Sequence, residues 1–261
     1  GRAAIIHHPD VKRMLMQMRA LTEGSRALSF YAIAAEDRSS HHPDDQVRAQ
    51  SAQMVELLTP LVKGWSTEVA MESTSLGVQV HGGMGFIEET GAAQHMRDAR
   101  ILPIYEGTNG IQALDFIGRK CLRDGGQAVK LLLADMQATV DQLASAHGST
   151  VNLRNRLRHS VEQCQEALNY VLDNSSDSQG IAYNFMMMYG NTVSYWLLVK
   201  LAAAAQDRLA AGETDRFYNQ KIATAEFFST QILPRNSGYL ATLILGADSF
   251  AALEPADFLQ A

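Results

Sequence analysis

The chain has 261 residues, 46% of them hydrophobic, which is enough apolar surface for a core and room for one large domain or two small ones. Its 22 Lys and Arg against 28 Asp and Glu leave a net charge of −6 with no basic block, which argues against a nucleic-acid partner. The two cysteines, Cys121 and Cys164, stand at no metal or redox spacing, so neither a zinc site nor a disulfide framework is expected and a reducing, cytoplasmic setting fits.

Pro9-Asp10 opens the first predicted helix, because Pro is pre-organised for a first turn and Asp suits the positive end of the helix dipole. Val11, Met14, Leu15, Met18, Leu21, Leu28 and Ala32 fall on one helical face, where the methionines read as core filling. Gly24 costs about 1 kcal/mol relative to Ala within a helix and is expected where something packs closely. Residues 37–45, rich in Ser, His and Asp, are predicted as a polar loop, and the neighbouring His41 and His42 side chains do not converge as metal ligands would. A second helix is predicted from Gln46, with Met54, Leu57, Leu58, Leu61, Val62, Trp65 and Val69 on its apolar face. Thr59-Pro60 allows either a kink or a fresh start with Thr59 as N-cap.

That helix delivers Gln79-Val80-His81-Gly82-Gly83-Met84-Gly85-Phe86. Its glycines let the backbone turn sharply and present N–H groups to a ligand lying against main chain, and they serve equally well as a helix C-cap. Glu88-Glu89 and a short helical run through His95 and Arg100 follow, with Arg97, Asp98 and Arg100 near enough for local ion pairs worth about 0–1 kcal/mol when exposed. This run reads as a brace for the next loop. Pro103 disfavours helix at Leu102, so an extended path is predicted over residues 101–105. Glu106 then precedes Gly107, which has no side chain to block a substrate, and Thr108, an N-cap for a helix over about 109–120. A carboxylate in that place is either a charge that compensates the helix dipole, commonly about 0.3–1 kcal/mol, or a reacting group; on the residues alone the electrostatic cap is the simpler reading.

Asp124-Gly125-Gly126 reads as a short hinge-like boundary. Further helices are predicted at about 126–146, 152–173, 179–207, 214–233 and 236–252, broken by Gly148-Ser149, residues 174–180, residues 211–213 and Pro234. The apolar run 193–205 contains Lys200 and follows Asn184, Gly190 and Asn191, too polar a stretch for a membrane span of about 20 residues, so a buried core helix is expected. Phe185, Met186, Met187, Tyr189, Trp196 and Leu197 likewise read as core.

Within residues 79–112 the Gly82-Gly83 turn, Arg97-Asp98-Ala99-Arg100 and Tyr105-Glu106-Gly107-Thr108 follow one another in an order that closely resembles the C-terminal domain of the FAD-dependent acyl-CoA dehydrogenases. The likeness is densest over about 76–119, looser over 4–78, and fades after Asp124. It implies an all-α fold: a helical bundle over 1–122 like that C-terminal domain, then an additional helical domain over 123–261. Such an appendage resembles the longer family members, a group that includes the 3-methylmercaptopropionyl-CoA dehydrogenases.

The resemblance also implies FAD as cofactor and oxidation of an acyl-CoA thioester to the trans-2-enoyl-CoA. Glu106 matches the family's base, which takes the α-proton as the β-hydrogen leaves as hydride to the flavin. Desolvation in an apolar cleft would raise the carboxylate pKa, and the Glu106 N–H would help to stabilise the enolate. Gly107 would line the substrate channel. Gln79, Val80, His81, Gly82 and Gly83 match contacts to the adenosine part of FAD held mainly by a neighbouring subunit, and Thr108, Asn109 and Gly110 match backbone contacts to the cofactor. The implied partners are an acyl-CoA substrate, an electron-transfer flavoprotein or similar acceptor, and identical subunits in a homodimer or homotetramer, with no metal, nucleic acid or membrane span. In the family an N-terminal helical domain and a middle β-domain precede this bundle. Together with a first residue that is Gly and the lack of a targeting segment, this reads as a piece of a longer protein, inactive alone and weak or deficient in FAD binding. The alternative is a non-catalytic helical module for oligomerisation or interaction.

Overall fold

The computed structural model describes residues 3–145 and 148–259, and among them every regular element is helical. α1 (Pro9–His41) and α2 (Asp45–Val80) form a long antiparallel hairpin. The predicted loop at 37–45 shrinks to residues 42–44: α1 continues to His41, the Asp37 carbonyl takes a 3.1 Å contact from the His41 ring, and only Pro43 forces His42 into an extended conformation. Asp44 caps α2, accepting from the Gln46 and Val47 N–H groups at 2.7 and 3.3 Å. α2 runs unbroken through Pro60, and Thr59 is not a cap, since its hydroxyl donates to the Val55 carbonyl one turn back at 2.8 Å. Gly24 does mark a close approach: a Cβ there would meet Phe228 Cε2 and Ser194 Cβ at 3.2 Å.

Past α2 come α3 (Gly83–Phe86), α4 (Ala92–Arg100) and α5 (Asn109–Leu114), which passes into a π-helical turn at Asp115–Arg119. Arg97 pairs with Glu88, two exposed side chains from either side of a turn, instead of with its sequence neighbour Asp98. The extended path predicted over 101–105 is absent. The Ile104 and Tyr105 N–H groups both donate to the Ile101 carbonyl, at 3.0 and 3.2 Å, and Leu102 donates to Ala99, so tight turns satisfy the backbone despite Pro103.

The second half comprises α6 (Gln127–Gln142), α7 (Ser149–Asp173), α8 (Ser178–Ala210), α9 (Arg216–Gln231) and α10 (Arg235–Ile244). The helix predicted to reach residue 146 ends at Gln142, where the Ala144 N–H closes a tight turn on the Asp141 carbonyl at 3.0 Å; residue 146 lies outside the described residues. The Asp124–Gly126 segment is fastened, not a free hinge: the Asp124 carboxylate accepts from the Gln127 and Ala128 N–H groups at 3.0 and 2.9 Å, and both glycines have positive φ. The helix predicted over 236–252 ends at Ile244, because Gly246, at φ 75°, turns the chain into a short 3-10 segment whose Ala247 and Phe250 lie against Gly180.

α8 is the central helix, buried almost all round, as its continuous apolar sequence requires. No described helix is long and apolar enough to cross a membrane. Phe185, Met186, Met187, Tyr189, Trp196 and Leu197 are all core. Its buried tyrosines find partners: Tyr189 and Tyr195 donate to the Cys164 and Leu153 carbonyls at 2.8 and 2.9 Å. A chain of buried bonds runs from Trp65 Nε1 to Asn191 Oδ1 (2.9 Å), from Asn191 to Asn236 (3.0 Å), and from Asn236 to Ser160 and Thr192. One hydrophobic cluster spans both halves, from Leu21 and Trp65 to Phe228 and Leu243.

Cys121 and Cys164 are free and buried, and burial pushes both thiols up to about 12. Neither should be alkylated in the native protein at neutral pH, whereas both should react once the chain is unfolded. Counting added mass by mass spectrometry with and without denaturant checks this.

Candidate active site

The Glu106 loop takes its shape from its main chain. Glu106 has φ 52°, the only positive φ at a non-glycine among the described residues, and Gly107 follows at 86°. Two left-handed residues in succession reverse the chain between the turns at 101–105 and the start of α5. For a non-glycine this conformation costs about 1–2 kcal/mol, so the surroundings must enforce it. Three contacts do so. The Asn109 N–H donates to the Pro103 carbonyl at 3.0 Å, closing the loop at its base. Gln112 Nε2 reaches the Glu106 carbonyl at 3.4 Å, and Lys63 Nζ donates to the Gly107 carbonyl at 2.6 Å. A side chain at Gly107 would put its Cβ 3.0 Å from Gln112 Nε2, as well as being strained at that φ.

Thr108 is the N-cap of α5, as its position predicted: its Oγ1 accepts from the Ile111 N–H at 3.3 Å. Asn109 is 4% exposed and faces α2, with Oδ1 3.2 Å from Lys63 Nζ and 3.0 Å from Thr67 Oγ1, while its Nδ2 donates to Glu68 Oε1 at 2.8 Å. Both its N–H and its side chain are therefore engaged within the chain. Thr108 and Gly110 stay exposed, and Gly107 is half-buried. Partial burial lowers the Lys63 pKa, and the nearby Glu106 and Glu68 carboxylates oppose that shift by favouring the ammonium.

The Glu106 side chain is exposed. The apolar cleft expected around it is not closed by these residues. The neighbours of Glu106 in sequence, Ile104, Tyr105 and Ile111, are also exposed.

The glycine turn follows directly on the end of α2. Gln79, His81, Gly82 and Gly83 are exposed and Val80 is half-buried, with His81 as the C-cap of α2. Gly82 adopts φ 61° and ψ −146°, a region reserved for glycine, with open space where a Cβ would stand. Gly85 serves packing instead, since a Cβ there would lie 2.2 Å from the Val78 carbonyl oxygen and only glycine lets α3 fold back on α2. Among the described residues no hydrogen bond links this turn to the Glu106 loop; the loop is tied instead to the middle of α2. Lys63, Thr67, Glu68 and Gln112 do not stand out in the sequence. Lys63, Thr67 and Glu68 share one face of α2, but their partner lies more than forty residues on, so spacing alone gives no signal.

The family model described as acyl-CoA dehydrogenase, C-terminal domain, matches residues 1–122, and that described as acetyl-CoA dehydrogenase C-terminal like matches residues 132–254. The chain belongs to the acyl-CoA dehydrogenase family, of which it carries the C-terminal part. It is 46% identical over 233 residues to 3-methylmercaptopropionyl-CoA dehydrogenase of Ruegeria pomeroyi, a match covering 88% of this chain and 40% of that protein. Its fold matches that of Caenorhabditis elegans ACDH-11 in complex with C11-CoA (TM-score 0.74, 19% identity, 96% of this chain and 41% of that one). It also matches a Bacillus anthracis acyl-CoA dehydrogenase complexed with FAD (TM-score 0.72, 19% identity, 94% and 44%).

Proposed function

We propose that the chain is the C-terminal part of an FAD-dependent enzyme that dehydrogenates acyl-CoA thioesters to trans-2-enoyl-CoA, with Glu106 as the base that removes the α-proton. The observation that carries this reading is the Glu106 loop itself: a carboxylate held on two consecutive left-handed residues by backbone contacts from α2 and α5, within the Tyr-Glu-Gly-Thr segment of an acyl-CoA dehydrogenase family member. A carboxylate that served only as a helix cap would not need a strained backbone. The division into 1–122 and 123–261 belongs to the same proposal, as do an electron-transfer flavoprotein or similar acceptor, assembly as a homodimer or homotetramer, and a cytoplasmic setting.

The residues present fit a cofactor with a long polar backbone-binding portion. Gln79, Val80, His81, Gly82 and Gly83 offer a turn free of side chains at its glycines, with open space in front of it, and Thr108 and Gly110 offer an exposed helix start. Asn109 holds that start in place from behind. FAD, when bound, supplies the capacity to accept two electrons. Glu106 supplies the base, and its own N–H would bond the thioester oxygen as negative charge develops there. Gly107 leaves the approach to the carboxylate clear. Because Glu106 is exposed here, the second wall of the cleft must come from outside these residues, and the chain alone is expected to be inactive.

Acyl-CoA added anaerobically to the full-length protein should bleach oxidised flavin, with the enoyl-CoA as product. A protein purified without flavin that cannot be reconstituted would favour the interaction-module alternative. Gly82→Val in the same protein should lower flavin content per chain while leaving the melting of the helices nearly unchanged. Valine is strained at this φ and ψ yet meets nothing within 4 Å, so its effect should stay local to the turn. Flavin absorbance and circular dichroism on one preparation separate the two effects, and unchanged flavin content would reduce the turn to a helix cap.

A further inference from the structure

The side chains behind the Glu106 loop form a cluster that the family likeness does not bring out. Lys63 Nζ lies 2.6 Å from the Gly107 carbonyl oxygen and 3.2 Å from Asn109 Oδ1. Asn109 is fixed in turn by Glu68, which accepts from its Nδ2 at 2.8 Å, and by Thr67 Oγ1 at 3.0 Å. Lys63, Thr67 and Glu68 project from one stretch of α2, a long helix whose opposite side is clamped in the core by Leu61, Trp65 and Val69. A rigid element thus holds a charged donor against the carbonyl next to the proposed base. That carbonyl belongs to a left-handed residue flanked by another, a conformation the loop would not keep unaided.

We propose that Lys63 is the positioning residue of the reaction, fixing the Gly107 carbonyl so that the Glu106 carboxylate is held at its working place. The inference rests on the reading of Glu106 as base. Lys63 acts through the loop and touches no substrate atom. Asn109 orients the ammonium, and Glu68 and Thr67 together keep the Asn109 Oδ1 facing Lys63.

The test uses the full-length protein carrying Lys63→Met, Lys63→Gln and Lys63→Arg, with Glu106→Gln alongside, and measures anaerobic flavin reduction by acyl-CoA together with flavin content, acyl-CoA affinity and melting temperature. Lys63→Met should slow reduction about 10- to 100-fold, the scale of loss expected from a small misplacement of a reacting group. Its flavin content and its affinity for acyl-CoA should remain near wild type. Lys63→Gln, which keeps a donor on a shorter side chain, should lose less rate, and Lys63→Arg, which keeps a long donor, should recover most of it. If Lys63→Met does not fold, the contrast between Gln and Arg carries the same test. Wild-type rates in these variants beside an inactive Glu106→Gln would overturn the role of Lys63 and leave the base intact. A rate lost only in proportion to flavin content or melting temperature would make Lys63 a structural brace and also overturn the proposal. A Glu106→Gln variant reduced at the wild-type rate would instead remove the reading on which it rests.

Discussion

Glu106→Gln in the full-length protein is expected to keep FAD and acyl-CoA bound while flavin reduction by substrate falls by at least the roughly 10²–10⁴-fold that a general base commonly contributes. The fixtures of the loop explain why the loss should fall on chemistry and not on folding. The Gly107 carbonyl bond to Lys63, the Glu106 carbonyl bond to Gln112 and the Asn109 N–H bond to Pro103 are made by main-chain atoms of the loop, so none depends on the carboxylate. Gln has the same length and the same backbone restrictions as Glu, so the left-handed conformation at φ 52° is no harder to hold. What disappears is an acceptor for the α-proton, and without proton removal no enolate character develops to assist departure of the β-hydrogen. The full loss should therefore appear in the rate of the reductive step with little change in substrate affinity. Rapid anaerobic mixing with a preferred acyl-CoA, followed at the oxidised flavin band, measures both. Reduction at the wild-type rate would leave Glu106 as an electrostatic companion to the N-terminus of α5, the reading its sequence position allowed.

Whatever depends on local rules is legible in the sequence, and whatever depends on contacts between distant segments is not. The start of α1 at Pro9, the N-cap at Thr108 and the burial of α8 each follow from neighbouring residues. The polar residues 37–41 extend α1 because nothing before Pro43 obliges a helix to stop, and polarity alone does not break one. Residues 101–105 turn instead of extending because the Ile101 carbonyl serves two amides, which outweighs the local preference before a proline. α10 ends early at Gly246 because the following 3-10 segment packs on Gly180, a position far back in the chain. For the site, Glu106 stands out only through the resemblance of its segment to a family, since its residue type and spacing also suit a cap. Its positive φ and the Lys63, Asn109 and Glu68 cluster belong to tertiary structure. The cluster joins residues 41 to 46 positions apart, a separation at which no helical or strand periodicity operates.

Gly190→Ala is expected to be strongly destabilising for a single added methyl, costing on the order of 1–3 kcal/mol or more, the range for overpacking a close-packed interior. An alanine Cβ would stand 2.3 Å from Trp65 Cγ, 2.4 Å from its Cδ1 and 2.6 Å from its Cβ, distances at which one side must move. The atoms in the way are the root of a fully buried indole, not the free end of a flexible chain, so a rotamer change does not relieve them. Trp65 is also tethered at its far edge: swinging the ring away would break its bond to Asn191, and Asn191 is bonded to Asn236 in the interior, so buried polar groups would lose their partners. Relief must come from separating α2 and α8. Trp65 lies two residues from Lys63, so that separation would also disturb the hold of α2 on the Glu106 loop, and in the full-length protein the variant should lose reaction rate along with stability. Gly77→Ala supplies the contrast, since Gly77 lies inside α2 with nothing within 4 Å of a new Cβ. There the better helix propensity of alanine should leave the chain unchanged or raise its stability by up to about 1 kcal/mol. Thermal melts of the two variants followed by circular dichroism should move in opposite directions, Gly190→Ala downward by several degrees. A Gly190→Ala melt within a degree of wild type would mean that α8 does not press its backbone against Trp65, and that the two halves of the chain are not locked together at this point.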